Sequence, residues 1–190
     1  MIKHAKEFLR YLRNHQYEKT GAGILFPRAQ VLASGVFTDF INGEKVGESR
    51  NLAVDEGLVY YLNVGLAGGA QLTSWYVALF NGAATPQANW TAANFAANAT
   101  EITTGYSEAT RPLWDPDAVD TGNTSIENAA TPASFTIVGS LAIEGAALLS
   151  SNVKGGTAGT LLSATRYAST RNLNDGDTYN SQYRVDFNAV

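Results

Sequence analysis

The chain reads as short apolar runs cut by glycine, asparagine and proline. WYVALF at 75–80 is aromatic, β-branched and closed by Asn81-Gly82, the composition of a strand. Leu141–Leu149 and Leu161–Tyr167 are two further apolar runs. They flank a loop of Ser150, Ser151, Asn152, Lys154, Gly155, Gly156, Thr157 and Gly159, so the segment predicts two strands joined by a turn-rich loop. Residues 30–41 and 44–48 are predicted strands. Asn42-Gly43 lies between them, a two-residue hairpin signal because both residues tolerate positive φ. At the C-terminal end Tyr179, Ser181, Tyr183, Val185 and Phe187 alternate with Asn180, Gln182, Arg184, Asp186 and Asn188, a period of two. Ser134–Val138 reads as a strand, Glu101–Thr104 and Leu113–Trp114 as edge strands, and 86–98 as a short helix or ordered loop.

Two stretches follow helical spacing instead. In residues 2–17, Ile2, Ala5, Phe8, Leu9 and Leu12 recur on one face, with Lys3, Lys6, Arg10 and Arg13 mostly elsewhere. Thr20-Gly21-Ala22-Gly23 then breaks the pattern, and Pro27 favours extended backbone after an apolar triplet. In residues 51–66, Val54, Leu58, Tyr61, Leu62 and Gly65 share a face, Asn51 is placed to cap the start, and Gly65, Gly68 and Gly69 end it. The expectation is a mainly β fold: an antiparallel β-sandwich, jelly-roll-like, with an N-terminal amphipathic helix and one further helix near 52–66. Residues 1–22 form a basic helical arm and 23–190 a single sandwich domain.

Charge sharpens this division. Of 190 residues only 16% are charged, against about 25% in an ordinary soluble domain. Residues 1–30 carry six basic and two acidic residues, a net of +4, whereas the remainder carries seven and fifteen, a net of −8. A cationic helix with an apolar stripe suits docking on protein better than on nucleic acid, which would not need Phe8, Leu9 and Leu12. The arm residues Lys3, Lys6, Phe8, Leu9, Arg10, Leu12 and Arg13 are therefore the candidate partner contacts. No apolar run reaches the roughly 20 residues of a membrane span, and the N-terminal stretch lacks the apolar segment of a secretory signal. The triplets at Asn89, Asn98 and Asn123 match a glycosylation pattern, but read as chance in an Asn/Thr-rich chain.

Candidate chemistry is sparse. The chain has no cysteine, which removes disulfides and thiolate sites, and its two histidines, His4 and His15, both lie in the arm. Asp115, Asp117 and Asp120 offer oxygens to a hard cation, but the spacing lacks a helix-loop-helix signature and a turn is the simpler reading. No metal and no cofactor is expected. Lys154 precedes Gly155 and Gly156, whereas in a phosphate loop the lysine follows the glycines and opens a helix. Gly65, Gly68 and Gly69 follow a helix, which is the wrong order for a dinucleotide loop. Glu101, Glu108, Glu127 and Glu144 could supply a hydrolytic carboxylate pair, and Trp75, Trp90 and Trp114 could line a sugar groove. Aromatic residues of a sandwich are more often core.

Taken in order, NLAVDEGLVYYLNVGL (51–66), WYVALFNG (75–82), TEITTGYSEATRPLW (100–114) and GAALLSSNVKGGTAGTLLSATRY (145–167) resemble a family of small virion proteins of tailed bacteriophages. The likeness spans roughly residues 24–187 and carries no catalytic motif. It implies a structural protein of the virion, assembled in the host cytoplasm, that binds the major capsid protein or other virion proteins and stabilises the lattice as a decoration or cement protein. Homo-oligomerisation is expected; catalysis, membrane insertion and direct nucleic-acid contact are not. A neck, tail or fibre-attachment protein, or a carbohydrate-binding host-recognition module, are the alternatives.

Overall fold

The structure is a computed structural model that describes residues 17–19, 21–23, 25–27 and 31–189. The helix expected over residues 2–17 therefore lies outside the described residues, except at its end. Tyr17 belongs to a strand, not to a helix. Contacts divide the chain into two compact units, residues 1–32 with 187–190, and residues 33–186. In the first, β1 (Tyr17–Lys19) and β2 (Leu25–Pro27) form an antiparallel hairpin with Glu18 opposite Phe26.

The second unit is mainly β, with two sheets and two helices. One sheet has the order β4-β3-β12-β8, built from β3 (Val31–Ile41), β4 (Glu44–Arg50), β8 (Ser125–Glu127) and β12 (Thr178–Ala189). β9 (Ala133–Thr136) adds to β12. The other has the order β5-β11-β10-β6-β7, built from β5 (Leu52–Ala53), β6 (Trp75–Phe80), β7 (Leu113–Trp114), β10 (Leu141–Leu149) and β11 (Leu161–Leu173). The register-defined pairs are antiparallel. A jelly-roll-like trait survives where early β3 lies beside final β12 in the middle of one sheet and early β5 beside penultimate β11 at the edge of the other. β10 departs from that scheme, because it hairpins directly onto β11.

The turns obey the residues that make them. Asn42 and Gly43 take φ of 51° and 84°, as the β3–β4 hairpin requires. The Asn42 amide then ties this tip to the next one: Nδ2 donates to Asp177 Oδ1 at 2.8 Å, and Oδ1 accepts from Thr178 N at 2.9 Å. Along β12, Tyr179, Ser181, Tyr183 and Val185 are buried, so the period-two expectation holds there.

β6 and β10 do not alternate; they are apolar on both faces, because both faces of their sheet are covered. Ala78, Phe80, Ala147 and Leu149 pack with Trp90, Ala92, Phe95 and Ala99 in one cluster on the outer side. Helix α1 (Asp55–Leu66) and helix α2 (Ala92–Ala99) follow β5 and β6 in the chain. Tyr183 links the two sheets. Its ring stacks on Phe37 at 4.2 Å, its hydroxyl bonds Ser163 Oγ at 2.9 Å, and its carbonyl accepts from Trp114 Nε1 at 2.9 Å.

Three local expectations need correction. Asn51 does not cap α1; its Nδ2 donates to the Tyr183 hydroxyl at 2.8 Å, and Val54 holds the cap position without a side-chain bond. Glu101–Thr104 is not a strand, since only Glu101 bridges Phe80. The strand from Leu161 continues past Tyr167 to Leu173. It does so through an irregularity in which Ile143 pairs Arg171 but Gly145 pairs Arg166, and Glu144 spans the gap by bonding Thr170 Oγ1 at 2.6 Å and Arg166 at 3.4 Å.

Candidate functional site

The charged groups inside the second unit hold its loops. Arg111 is fully buried and forms a bidentate pair with buried Glu101, both contacts at 2.7 Å. Its Nη1 donates to Ser151 O at 2.8 Å and its Nη2 reaches Gly156 O at 3.4 Å. Glu101 Oε2 also accepts from Gly155 N at 3.1 Å. A buried charge is tolerated when it is paired and its remaining hydrogen-bonding capacity is met, as here. The 150–160 loop is thus threaded around a guanidinium. Its glycine amides serve the fold, Gly155 on Glu101 and Gly156 on Val153 O. Lys154 lies 3.6 Å over the Tyr106 ring, and burial lowers its pKa.

A second buried pair joins the sheets. Arg171 Nε donates to Asp39 Oδ2, and Arg171 Nη1 to the Ser169 carbonyl and hydroxyl at 2.6 and 2.7 Å. Beside it the Tyr167 and Tyr179 hydroxyls share a 2.6 Å bond, and burial first, then the Tyr167 phenol, pushes Tyr179 well above the usual phenol range. On α1, Glu56 Oε2 accepts from Ala92 N at 2.8 Å and Leu161 N at 2.6 Å. One carboxylate therefore pins the start of α2 and the start of β11 to α1.

The carboxylates and tryptophans singled out from sequence fall into separate structural roles. Glu108 accepts from Thr136 N, at 3.0 and 3.1 Å for its two oxygens, and Glu127 lies in β8 opposite Arg184. The Thr170 hydroxyl bond holds Glu144 below the ordinary carboxylate range. Asp120 caps its own turn through Gly122 N and both nitrogens of Asn123, and Asp117 accepts from Ala130 N. The structure does not gather Asp115, Asp117 and Asp120 with other ligands: no group of three or more His, Asp or Glu suited to a metal occurs among the described residues. Trp75, Trp90 and Trp114 are all largely buried; Trp90 lies in the apolar cluster, whereas Trp75 and Trp114 line a cavity. The arm residues Lys3, Lys6, Phe8, Leu9, Arg10, Leu12 and Arg13 lie outside the described residues.

One patch open to solvent is apolar. Leu58, Val59, Leu62 and Leu66 of α1 are exposed, although Gly57 on the opposite face is buried against β11. Between α1, the chain that follows it and the sheets, a cavity of about 350 Å³ is lined by Tyr60, Tyr61, Leu72, Trp75, Trp114 and Ile126, among others. Tyr60 shapes its wall by accepting from Leu72 N at 3.0 Å, which ties the chain after α1 back onto the helix. Burial pushes the Tyr61 phenol up to about 12. The sequence pattern placed Val54, Leu58, Tyr61, Leu62 and Gly65 on one face; the structure divides that face, burying Val54 and setting Tyr61 and Gly65 on the cavity while Leu58 and Leu62 are exposed. Among the described residues no helix is long and apolar enough to cross a membrane. The chain matches no protein-family model, and no curated protein is significantly similar to it.

Proposed function

We propose that this chain is a structural protein of a tailed-bacteriophage virion, one that binds and stabilises the capsid lattice as a decoration or cement protein and performs no catalysis. The observation that carries the reading is the solvent-open apolar face of α1. A patch of this kind on a protein of low charge favours contact with another protein. The buried ionisable groups support the same reading, because Glu56, Glu101, Arg111, Asp39 and Arg171 are committed to holding strands, loops and helices together.

A two-sheet body with internally braced loops suits a component that must resist mechanical load. Lattice binding would use many modest contacts repeated by symmetry, so a patch too small for tight one-to-one binding still gives high avidity. The basic N-terminal segment adds a second contact, with Lys3, Lys6, Phe8, Leu9, Arg10, Leu12 and Arg13 as the residues that would engage the major capsid protein or another virion protein. The test is co-purification of the full chain with particles that carry it. Fixed stoichiometry matched to capsid lattice sites supports the reading. Copies confined to a neck, tail or fibre vertex would replace it with the attachment reading, and retention on glycans in place of particles would replace it with host recognition.

A further inference from the structure

We propose that the cavity between α1 and the two sheets binds a small, uncharged aromatic molecule that carries a hydrogen-bond acceptor. The site does not depend on the virion role. Its residues on α1, Tyr60, Tyr61, Val64 and Gly65, form a side of the helix distinct from exposed Leu58, Val59, Leu62 and Leu66. Protein interiors leave few voids larger than a water molecule, so a space of about 350 Å³ is not a packing defect. Regular elements frame it: Trp75 and Leu162 belong to one sheet, Ile126 and Val185 to the other, and Tyr61 and Gly65 stand one turn apart on α1. Its size and apolar lining are those of preformed ligand sites, which run from about 300 to 1,000 Å³.

The lining selects the ligand's chemistry. Among the described residues, none that lines the cavity is charged, and burial raises Tyr61 to about 12, so its phenol stays neutral. A charged ligand would lose its hydration there without gaining a counter-ion. Flat rings form much of the wall. Tyr60 and Trp75 meet edge-on, with centroids 5.2 Å apart and planes at 74°. A planar ligand can therefore stack on one ring while presenting its edge to the other. Trp114 adds apolar ring surface, because its indole N–H is engaged by Tyr183 O. Tyr60 supplies the polar contact: its oxygen accepts from Leu72 N at 3.0 Å, which leaves the hydroxyl proton to donate. Exposed Gln71 and Thr73 add polar groups at the rim, whereas a sugar would need a partner for every hydroxyl it buried. A cavity of about 150 Å³ takes one benzene ring, so about 350 Å³ takes two fused rings with a substituent.

The test is an NMR titration of the isotope-labelled full chain with quinoline, a flat, bicyclic acceptor that is uncharged at neutral pH. The readout is the three indole N–H signals, since Trp75 and Trp114 line the cavity and Trp90 lies in the apolar cluster. Trp75 and Trp114 should shift saturably, with a dissociation constant on the order of 100 μM, while Trp90 stays in place. N-methylquinolinium, the same shape with a fixed charge and no acceptor, should bind at least ~10-fold more weakly. Gly65 is the place to close the site, because an added Cβ there meets nothing within 4 Å. Gly65→Phe should weaken quinoline binding at least ~10-fold, with an unchanged or raised melting temperature confirming the fold. Tyr60→Phe should weaken quinoline about 3- to 10-fold and leave naphthalene, which has no acceptor, unaffected. Absence of saturable shifts up to ~5 mM quinoline, shifts at Trp90 equal to the others, or full binding in a folded Gly65→Phe overturns the proposal. Equal affinity for N-methylquinolinium overturns the uncharged class, and saturable glucose binding at the same indoles without quinoline binding replaces it with a sugar. Wild type that binds no quinoline, with particle binding lost in Gly65→Phe, gives the cavity to a partner protein's side chain and overturns the proposal. Quinoline binding by a chain that is absent from particles removes the virion role and leaves the site standing.

Discussion

Replacing Arg111 with methionine probes the bracing of the 150–160 loop most sharply. The change keeps the aliphatic bulk but removes two 2.7 Å contacts to Glu101 and the bonds to Ser151 O and Gly156 O. It leaves Glu101, 1% exposed, with the Gly155 amide as its remaining bonded donor. Breaking a buried ion pair from one side costs about 3–5 kcal/mol, most of it the uncompensated charge. With a urea slope of about 2–3 kcal/mol/M for a domain of this size, the midpoint should fall by about 1–2.5 M. Adding Glu101→Met removes the stranded charge, so the double variant should recover about 2 kcal/mol or more relative to Arg111→Met alone. Urea melts of the four proteins give this cycle directly. Amide exchange should quicken at Gly155 and Gly156 in the single variant. A loss below about 1 kcal/mol, or strict additivity in the cycle, would refute the argument that this pair organises the loop.

Four further outcomes follow from the same geometry. Gly57→Ala puts a Cβ 2.3 Å from the backbone oxygen of Leu162, so α1 must lift off β11. A net loss of about 1–3 kcal/mol is expected in thermal melts, despite a helix-propensity gain of about 1 kcal/mol. Gly65→Ala meets nothing within 4 Å and should stabilise by up to about 1 kcal/mol; equal effects at the two sites would contradict the packing. Glu56→Ala orphans the amides of Ala92 and Leu161 and should cost about 2–4 kcal/mol, measured in the same way, with a neutral result contradicting its bridging role. Burial raises Tyr61 to about 12 and raises Tyr106, Tyr167, Tyr179 and Tyr183 as well. Unfolded tyrosines release protons near pH 10, ahead of the folded ones, so this stability is complete below pH ~10 and is lost as pH rises through the folded values. A denaturant midpoint that stays flat from pH ~9 to ~12 would contradict it.

The elements that could be read from the chain are those whose cause is local. β6 and β10 begin and end where their apolar runs do, because turn residues bound them on both sides. Asn42-Gly43 sets its hairpin through its own backbone preference. Elements made by tertiary pairing left no such mark. β8 is three residues long and exists because Ser125, Ile126 and Glu127 lie along β12 at Asp186, Val185 and Arg184. β5 has two residues, paired to Ala164 and Ser163. Asn51 carries a cap signal, but the Tyr183 hydroxyl, 132 residues away in sequence, claims its amide. Glu56 reads as an ordinary acid in a first helical turn, and only the fold brings two distant amides to it. The same limit applies to the candidate contact surface. Helical spacing identifies an apolar face, and packing decides which part of that face turns inward and which out.

The proposed virion role requires that the protein be built into a shell. A cryo-electron microscopy reconstruction of the particle that carries it tests this most directly. Density matching the two-sheet body is expected at symmetry-related lattice sites, with the outward α1 face of each copy covered. Particles at full protein occupancy whose lattice sites carry no such density, or whose copies leave α1 facing solvent, would contradict it.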